Sequence, residues 1–117
     1  MKPRIVSKVS LDPAKNLFVA LETESGETFE YIYREANGLR WDSALRAIHA
    51  YEPQRWEPSE LLRHVAATLR SAFGEDLQFR EDTLWEGVPL QLQEQLRSAL
   101  PTASGTTSRP KSQRSEA

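Results

Sequence analysis

The sequence predicts an α+β fold: a three-stranded antiparallel β-meander followed by about three helices packed on one face of the sheet. Two observations predict it. In the first third of the chain, large apolar residues recur at alternate positions, which is typical of strands with one buried face. Beyond residue 41, apolar residues recur every three or four positions, as on one face of a helix. We expect the odd-numbered residues Ile5, Val9, Leu11, Leu17, Val19, Leu21, Phe29, Tyr31 and Tyr33 to face the core.

The three predicted strands span residues 4–11, 17–23 and 28–34, and short polar turns separate them. Pro13 presets the backbone for the first turn, and Gly26 can adopt the positive φ that a tight second hairpin requires. Short connections favour antiparallel neighbours in chain order. The sequence therefore predicts a meander.

The first predicted helix spans residues 43–51. Asp42 precedes it as a residue type favoured at the N-cap, and Pro53 ends it. Its inner stripe would comprise Ala44, Leu45, Ile48 and Tyr51, with Trp41 extending it upstream.

The second predicted helix begins at Pro58 and ends before Gly74, because proline suits a first helical turn and glycine suits the C-terminal cap. Its apolar stripe comprises Leu61, Leu62, Val65, Leu69, Ala72 and Phe73. Residues 77–79 alternate like a short fourth strand or an extended connector, and a third helix spans about residues 88–100.

The predicted domain organisation is a single α+β domain over residues 1–100 and a disordered polar tail over residues 101–117. The tail has no large apolar residue with which to offset its ordering entropy. The whole chain has a formal net charge of −2, and the tail contributes positive charge, so the body is acidic. An acidic body argues against broad binding of a phosphate backbone.

Several classes of function receive no support from the sequence. The chain has no cysteine, which excludes disulfides, thiolate metal sites and a cysteine nucleophile. His49 and His64 lack the spacing of metal ligands, and no glycine-rich phosphate loop or catalytic triad is present. No apolar run approaches the ~20 residues of a membrane span, and the N-terminus lacks the apolar core of a signal peptide. We expect a cytoplasmic, non-enzymatic protein without metal or cofactor.

The predicted function is a protein-interaction module that binds itself or another protein. One candidate surface is an apolar stripe on the even-numbered face of the sheet, formed by Val6, Phe18 and Ile32. The other is the loop that carries Arg55 and Trp56 between two prolines, since Trp and Arg anchor many interfaces. Alternatively, Trp56 folds back onto the start of the second helix as a hydrophobic staple.

Nucleic-acid binding is the alternative function. It would use Arg46, Arg55, Arg63 and Arg70 to contact phosphates.

Two further sites stay open. Residues 31–41 combine aromatics and arginines, so this segment is either a site in which Arg34 or Arg40 stacks on Tyr33 or Trp41, or a packed corner. An enzymatic pocket would be lined by Trp41, Tyr51, Trp56 and His49.

Overall fold

A computed structural model describes residues 2–24, 27–36, 38–52 and 55–103. These residues form a mixed sheet with two α-helices on one of its faces. The strands are β1 (Lys2–Leu11), β2 (Leu17–Leu21), β3 (Leu39–Asp42), β4 (Ala47–Ala50), β5 (Glu75–Arg80), β6 (Leu84–Glu86) and β7 (Thr102–Ala103). The helices are α1 (Pro58–Phe73) and α2 (Leu90–Ala99), and a short 3-10 helix spans Ile32–Arg34.

Strand β1 organises the sheet. It pairs antiparallel with β2 along one edge, and along the other edge it runs parallel to β5 in its first half and to β6 in its second. Six strands follow the order β3-β4-β2-β1-β5-β7, and β6 joins beside β1. The predicted antiparallel meander is therefore correct only for its first hairpin. The parallel pairs arise because the chain crosses over through α1 before it returns as β5, which is the connection that parallel strands require.

The third predicted strand is wrong. Within residues 28–34 the backbone turns: the Ile32 N–H donates to the Phe29 carbonyl at 2.9 Å, and the Glu35 N–H donates to the Ile32 carbonyl at 2.9 Å. Phe29 and Ile32 are buried, whereas Tyr31 is 55% exposed. The two buried residues are three positions apart, as on one side of a turn or a 3-10 helix, and not two apart as in a strand. The alternation of Tyr31 and Tyr33 in the sequence therefore does not indicate a strand.

The first predicted helix is also wrong, because β3 and β4 form a hairpin over those residues. Trp41 pairs with Ile48 and Asp42 pairs with Ala47. The Asp42 carboxylate accepts a hydrogen bond from the Leu45 N–H at 2.9 Å, so the residue predicted to cap a helix stabilises a turn. Pairing of β4 with β2 buries Ile48 completely and outweighs the local helical spacing.

The second predicted helix is confirmed as α1, with Gly74 at φ +65° in its C-terminal cap. Of its predicted stripe, the residues up to Leu69 are buried, whereas Phe73 is exposed and makes an edge contact with Phe29 at 5.8 Å. The short fourth strand is confirmed within β5, and the last predicted helix corresponds to α2.

The predicted alternation of faces holds in β2 and fails in part of β1. Leu17, Val19 and Leu21 are buried as expected. In β1, however, a bulge between Val6 and Lys8 shifts the register, so an even-numbered residue, Val6, is fully buried before it.

A buried arginine joins β1, β5 and the segment before the 3-10 helix. The Arg4 guanidinium donates to both carboxylate oxygens of Glu75 at 2.6 and 3.0 Å, and to both of Glu27 at 2.8 and 2.9 Å. Its remaining bond is to the Glu22 carbonyl oxygen at 2.7 Å. All five guanidinium donors are therefore satisfied, which a buried cation requires.

Past α2 the chain runs beside β5, where the Phe79 N–H donates to the Pro101 carbonyl at 2.9 Å and β7 pairs in parallel. Residues 104–117 of the predicted tail lie outside the described residues, as do the predicted turn residue Gly26 and the predicted helix end Pro53. No helix in the described ranges is long and apolar enough to cross a membrane.

Candidate functional site

The two helices pack on the same face of the sheet, which leaves the opposite face open. Leu96 and the buried residues of α1 share one core with Val9 and Val19, and Arg97 of α2 lies over the Phe79 ring on that side. Strand register places alternate residues on the other side. We call this side the open face; its residues are Lys8, Ser10, Phe18, Ala20, Arg40, Asp42, Ala47, His49, Leu84 and Glu86, of which the small Ala47 is buried between its neighbours.

The centre of the open face is apolar. Phe18 on β2 lies against its cross-strand neighbour His49, with ring centres 5.1 Å apart. Phe18 and the 54% exposed Leu45 line a shallow cavity of about 340 Å³. Leu84 on β6 is 63% exposed, and Lys8 forms an ion pair with Glu86 beside it. The open face thus combines exposed apolar groups with charges of both signs.

Three tyrosines and two arginines contact one another in alternation, in the order Tyr51, Arg40, Tyr33, Arg34 and Tyr31. Of these residues, Arg40 also belongs to the open face. The Arg40 guanidinium lies over the rings of Tyr51 and Tyr33, at 4.3 and 5.5 Å from their centres. The Arg34 guanidinium lies over Tyr33 and Tyr31, at 5.9 and 4.5 Å. We call these five residues the aromatic–arginine surface. Its rings are well exposed, at 42% for Tyr33, 55% for Tyr31 and 62% for Tyr51.

The segment 31–41 therefore contributes a surface as well as packing. Both predicted arginines stack on Tyr33, but neither is recorded over Trp41, which instead packs against Phe29 at 5.7 Å on the core side. Tyr51 is the member that sequence reasoning missed as a partner of Arg40. The helix predicted over residues 43–51 would place Tyr51 on its inner face, and a residue there could not contact Arg40 on the surface.

The Trp56 loop forms a wall between two clefts. Trp56 is half-buried and stacks on His64, with ring centres 4.9 Å apart and planes inclined by 16°. On one side lies a cavity of about 610 Å³ whose lining includes Leu11 and Leu92. On the other lies a cavity of about 410 Å³ at Gly38 and Arg55. Trp56 is therefore a packed wall residue and not a freely protruding anchor.

The predicted even-numbered stripe is not a surface in this fold. Val6 and Ile32 are 0 and 1% exposed, because the β1 bulge turns Val6 inward and the 3-10 helix buries Ile32. Phe18 alone remains available, at the centre of the open face. Arg55 is exposed and lies 3.6 Å from a Glu52 carboxylate oxygen.

The arginines of the nucleic-acid alternative lie on different elements. Arg46 in the β3–β4 turn donates to the Thr23 hydroxyl and the Glu27 carbonyl. Arg63 and Arg70 are exposed on α1, and Arg70 forms an ion pair with Asp76 at 3.0 Å. The carboxylate partners of Arg55 and Arg70 reduce the positive charge that these residues could offer to a phosphate.

The shifted pKa values occur in ion pairs that hold the fold together. Hydrogen bonds from Arg4 lower the pKa of Glu27, and hydrogen bonds from Gln78 and then Arg70 lower the pKa of Asp76. A hydrogen bond to Glu22 raises the pKa of Arg80. These groups lie outside the Trp56 clefts, so their shifts have a structural cause and do not indicate a general acid or base there.

The residues considered for an enzymatic pocket do not converge. His49 faces the open side of the sheet, whereas Trp56 stacks on the other histidine, His64. Trp41 packs on the core side and Tyr51 is exposed. Within the described ranges, no group of three or more His, Cys, Asp or Glu residues could hold a metal ion.

No family model matches the chain, and no curated protein matches it. Among solved structures, the chain is similar to an integron cassette protein from the mobile metagenome of the North West Arm sewage outfall. The two chains are 29% identical, the match covers 85% of this chain and 96% of the other, and the TM-score is 0.40. The name of that protein states neither an activity nor a partner.

Proposed function

We propose that this chain is a small, non-enzymatic, cytoplasmic protein-interaction module whose open face binds a second copy of the chain. One observation carries the proposal: the half-buried Phe18 and the exposed Leu84 lie on a sheet face that neither α1 nor α2 covers, and the exposed Leu45 lines a shallow cavity with Phe18. An apolar centre within a polar rim is the usual anatomy of a protein interface. Face-to-face packing of two sheets, about 10 Å apart, would bury it.

The charges on the open face favour a second copy over a partner of a single charge sign. Lys8 and Arg40 contribute positive charge, and Asp42 and Glu86 contribute negative charge. In a two-fold symmetric dimer the same patch meets itself, so a patch with balanced charges can be complementary to its own copy. The nucleic-acid alternative receives less support, since Arg55 and Arg70 already hold carboxylates.

Sedimentation velocity over a range of protein concentrations tests the proposal. We expect wild type to show a dimer, and Leu84→Glu to weaken association at least about tenfold, because it buries an unpaired carboxylate in the interface. Leu84 is 63% exposed, so this change should leave the fold intact. Leu90→Glu is the matched control: Leu90 is 70% exposed, but it lies on α2 in the opposite layer.

A second variant, Phe18→Glu, should have the same effect as Leu84→Glu while the control dimerises like wild type. A wild type that remains monomeric at millimolar concentration would overturn the proposal. So would a control that weakens association as much as the two open-face variants do.

A further inference from the structure

The aromatic–arginine surface holds two guanidinium groups in place mainly through contacts with aromatic rings. Arg34 contacts the rings of Tyr31 and Tyr33, and Arg40 contacts those of Tyr33 and Tyr51. Stacking on ring faces restrains a long side chain, so less entropy is lost when it binds a further group. Each guanidinium carbon lies within about 6 Å of two ring centres, which is close enough for a cation–π contact with both rings.

The N–H donors of these two guanidinium groups have no anionic partner in the part of the chain that the structure describes. Among the described residues, no carboxylate oxygen lies within 4.0 Å of either guanidinium. Arg40 donates one hydrogen bond, to its neighbour's carbonyl oxygen at 3.0 Å. Arg4, by contrast, uses all five of its donors within the fold. Ring contacts therefore restrain Arg34 and Arg40, while most of their guanidinium N–H donors remain available to a ligand.

We propose that the aromatic–arginine surface binds an acidic segment of a partner protein, with one carboxylate on Arg34 and one on Arg40. A planar guanidinium binds a carboxylate through two parallel hydrogen bonds, which are stronger than neutral ones. The two guanidinium carbons lie 5.9 and 5.5 Å from the same ring centre, that of Tyr33. Carboxylates two residues apart lie on the same face of an extended segment, are separated by roughly 7 Å and can reach both.

Tyrosine and arginine are also the residue types that contribute most often to binding energy at protein interfaces. Tyr31 and Tyr51, at the two ends, are the most exposed rings and would contact the flanking residues of the segment. This proposal goes beyond self-association, because it concerns a heterologous partner. Arg34 lies outside the open face, whereas Arg40 belongs to both surfaces.

A single-stranded nucleic acid fits the surface less well than a segment with two spaced carboxylates. Glu30, Glu35 and Glu52 are exposed and adjacent in sequence to members of the surface. A strand that carries one phosphate per nucleotide would meet them, and phosphate binding depends on many cations. Both guanidinium groups also contact the Tyr33 ring, so a base that stacks on this ring would compete with them.

An NMR titration of the full chain tests the proposal with defined probes. The first probe is a synthetic peptide with two glutamates separated by one neutral residue, so that both lie on one face of an extended chain. The second is the same peptide with glutamine at both positions, and the third is oligo-dT. The readout is the Nε–Hε signals of the arginines. We expect the glutamate peptide to shift the signals of Arg34 and Arg40, and the glutamine peptide to bind at least about tenfold more weakly.

The variant Arg34→Lys distinguishes bidentate hydrogen bonding by the guanidinium from attraction to a positive charge alone. Lysine keeps the charge but loses the planar, bidentate geometry. We expect it to weaken binding about tenfold, whereas Arg63→Lys, an exposed arginine on α1, should bind like wild type. Equal affinity of Arg34→Lys and wild type would overturn the proposal, as would equal affinity for the two peptides or no binding of either. Tighter binding of oligo-dT would assign the surface to nucleic acid instead.

Discussion

Replacing Arg4 with methionine tests whether the buried guanidinium holds together β1, β5 and the segment before the 3-10 helix, which carries Glu27. Methionine retains an unbranched apolar stem but removes all five hydrogen-bond donors. The side chain of Glu75 is only 9% exposed, so its carboxylate would be left in the interior without a counterion. Glu27, whose side chain is 33% exposed, can turn toward water. Breaking a buried pair in this way costs about 3–5 kcal/mol of unfolding free energy.

Removing both partners gives the informative comparison. In Arg4→Met/Glu75→Met the buried charge is gone together with its cation, and replacement of a buried ion pair by apolar groups is often close to neutral. We therefore expect the double variant to be more stable than Arg4→Met by about 2 kcal/mol or more, so the two changes are strongly non-additive. Urea denaturation at pH 7, followed by circular dichroism, measures both differences, provided that the m-values agree.

Two results would refute this reasoning. A loss below about 1 kcal/mol for Arg4→Met would mean that Glu75 finds water or another donor in the folded state. A double variant as unstable as the single one would mean that the loss comes from packing around the arginine stem and not from the stranded carboxylate.

Two further predictions concern glycine and pH. Gly87→Ala should lower the free energy of unfolding by about 2–5 kcal/mol, because a Cβ at φ +70° would lie 2.5 Å from the Leu11 carbonyl oxygen. Gly74→Ala is the control: at φ +65° with nothing within 4 Å, it should cost only about 1–2 kcal/mol, from the left-handed backbone alone. Equal losses of the two variants in urea denaturation would contradict the clash at Gly87. Arg4 lowers the pKa of Glu27 in the folded state, so this carboxylate stabilises the fold above its unfolded pKa of about 4.3 and loses that contribution as the pH falls through the folded value. Glu27→Gln should therefore flatten the fall in urea midpoint below pH 5 relative to wild type, and an unchanged slope would assign the acid sensitivity to other groups.

Helix α1 could be predicted from the sequence because all of its determinants are local. Pro58 opens it, Gly74 caps it, and the buried stripe follows the helical period between them. At its start, Glu57 and Glu60 form a reciprocal capping box. None of these signals depends on residues distant in the chain, so no distant contact is needed to predict them.

The hairpin of β3 and β4 shows what local signals cannot supply. Residues 43–51 have helical spacing, and Asp42 suits a helix start as well as a turn. What decides the structure is the pairing of β4 with β2, which places Ile48 beside Val19 in the core. That contact spans almost thirty residues of sequence, and no pattern within the segment reports it.

The candidate surfaces could be predicted in part for the same reason. Phe18 was identified because β2 is regular and its alternation holds. Arg34 and Arg40 were identified as partners of Tyr33 from their proximity in sequence, but the exposure of the rings depends on the 3-10 helix and on the β3–β4 hairpin. The contacts with Tyr33 were therefore predictable, whereas those with Tyr31 and Tyr51 and the surface that they form were not.

A single irregularity in β1 accounts for both the loss of Val6 from the predicted stripe and the buried arginine. Regular alternation extended back from the buried Val9 would place residues 5 and 7 inside, with Val6 and Arg4 on the open face. The bulge between Val6 and Lys8 reverses this order, so both even-numbered residues face the core. It thereby exchanges Val6 for the half-buried Ile5 on the side away from the core, and it turns a cation toward Glu75. Beyond the bulge the β1–β2 pairing is regular, and Phe18, opposite Ser10, lies on the open face.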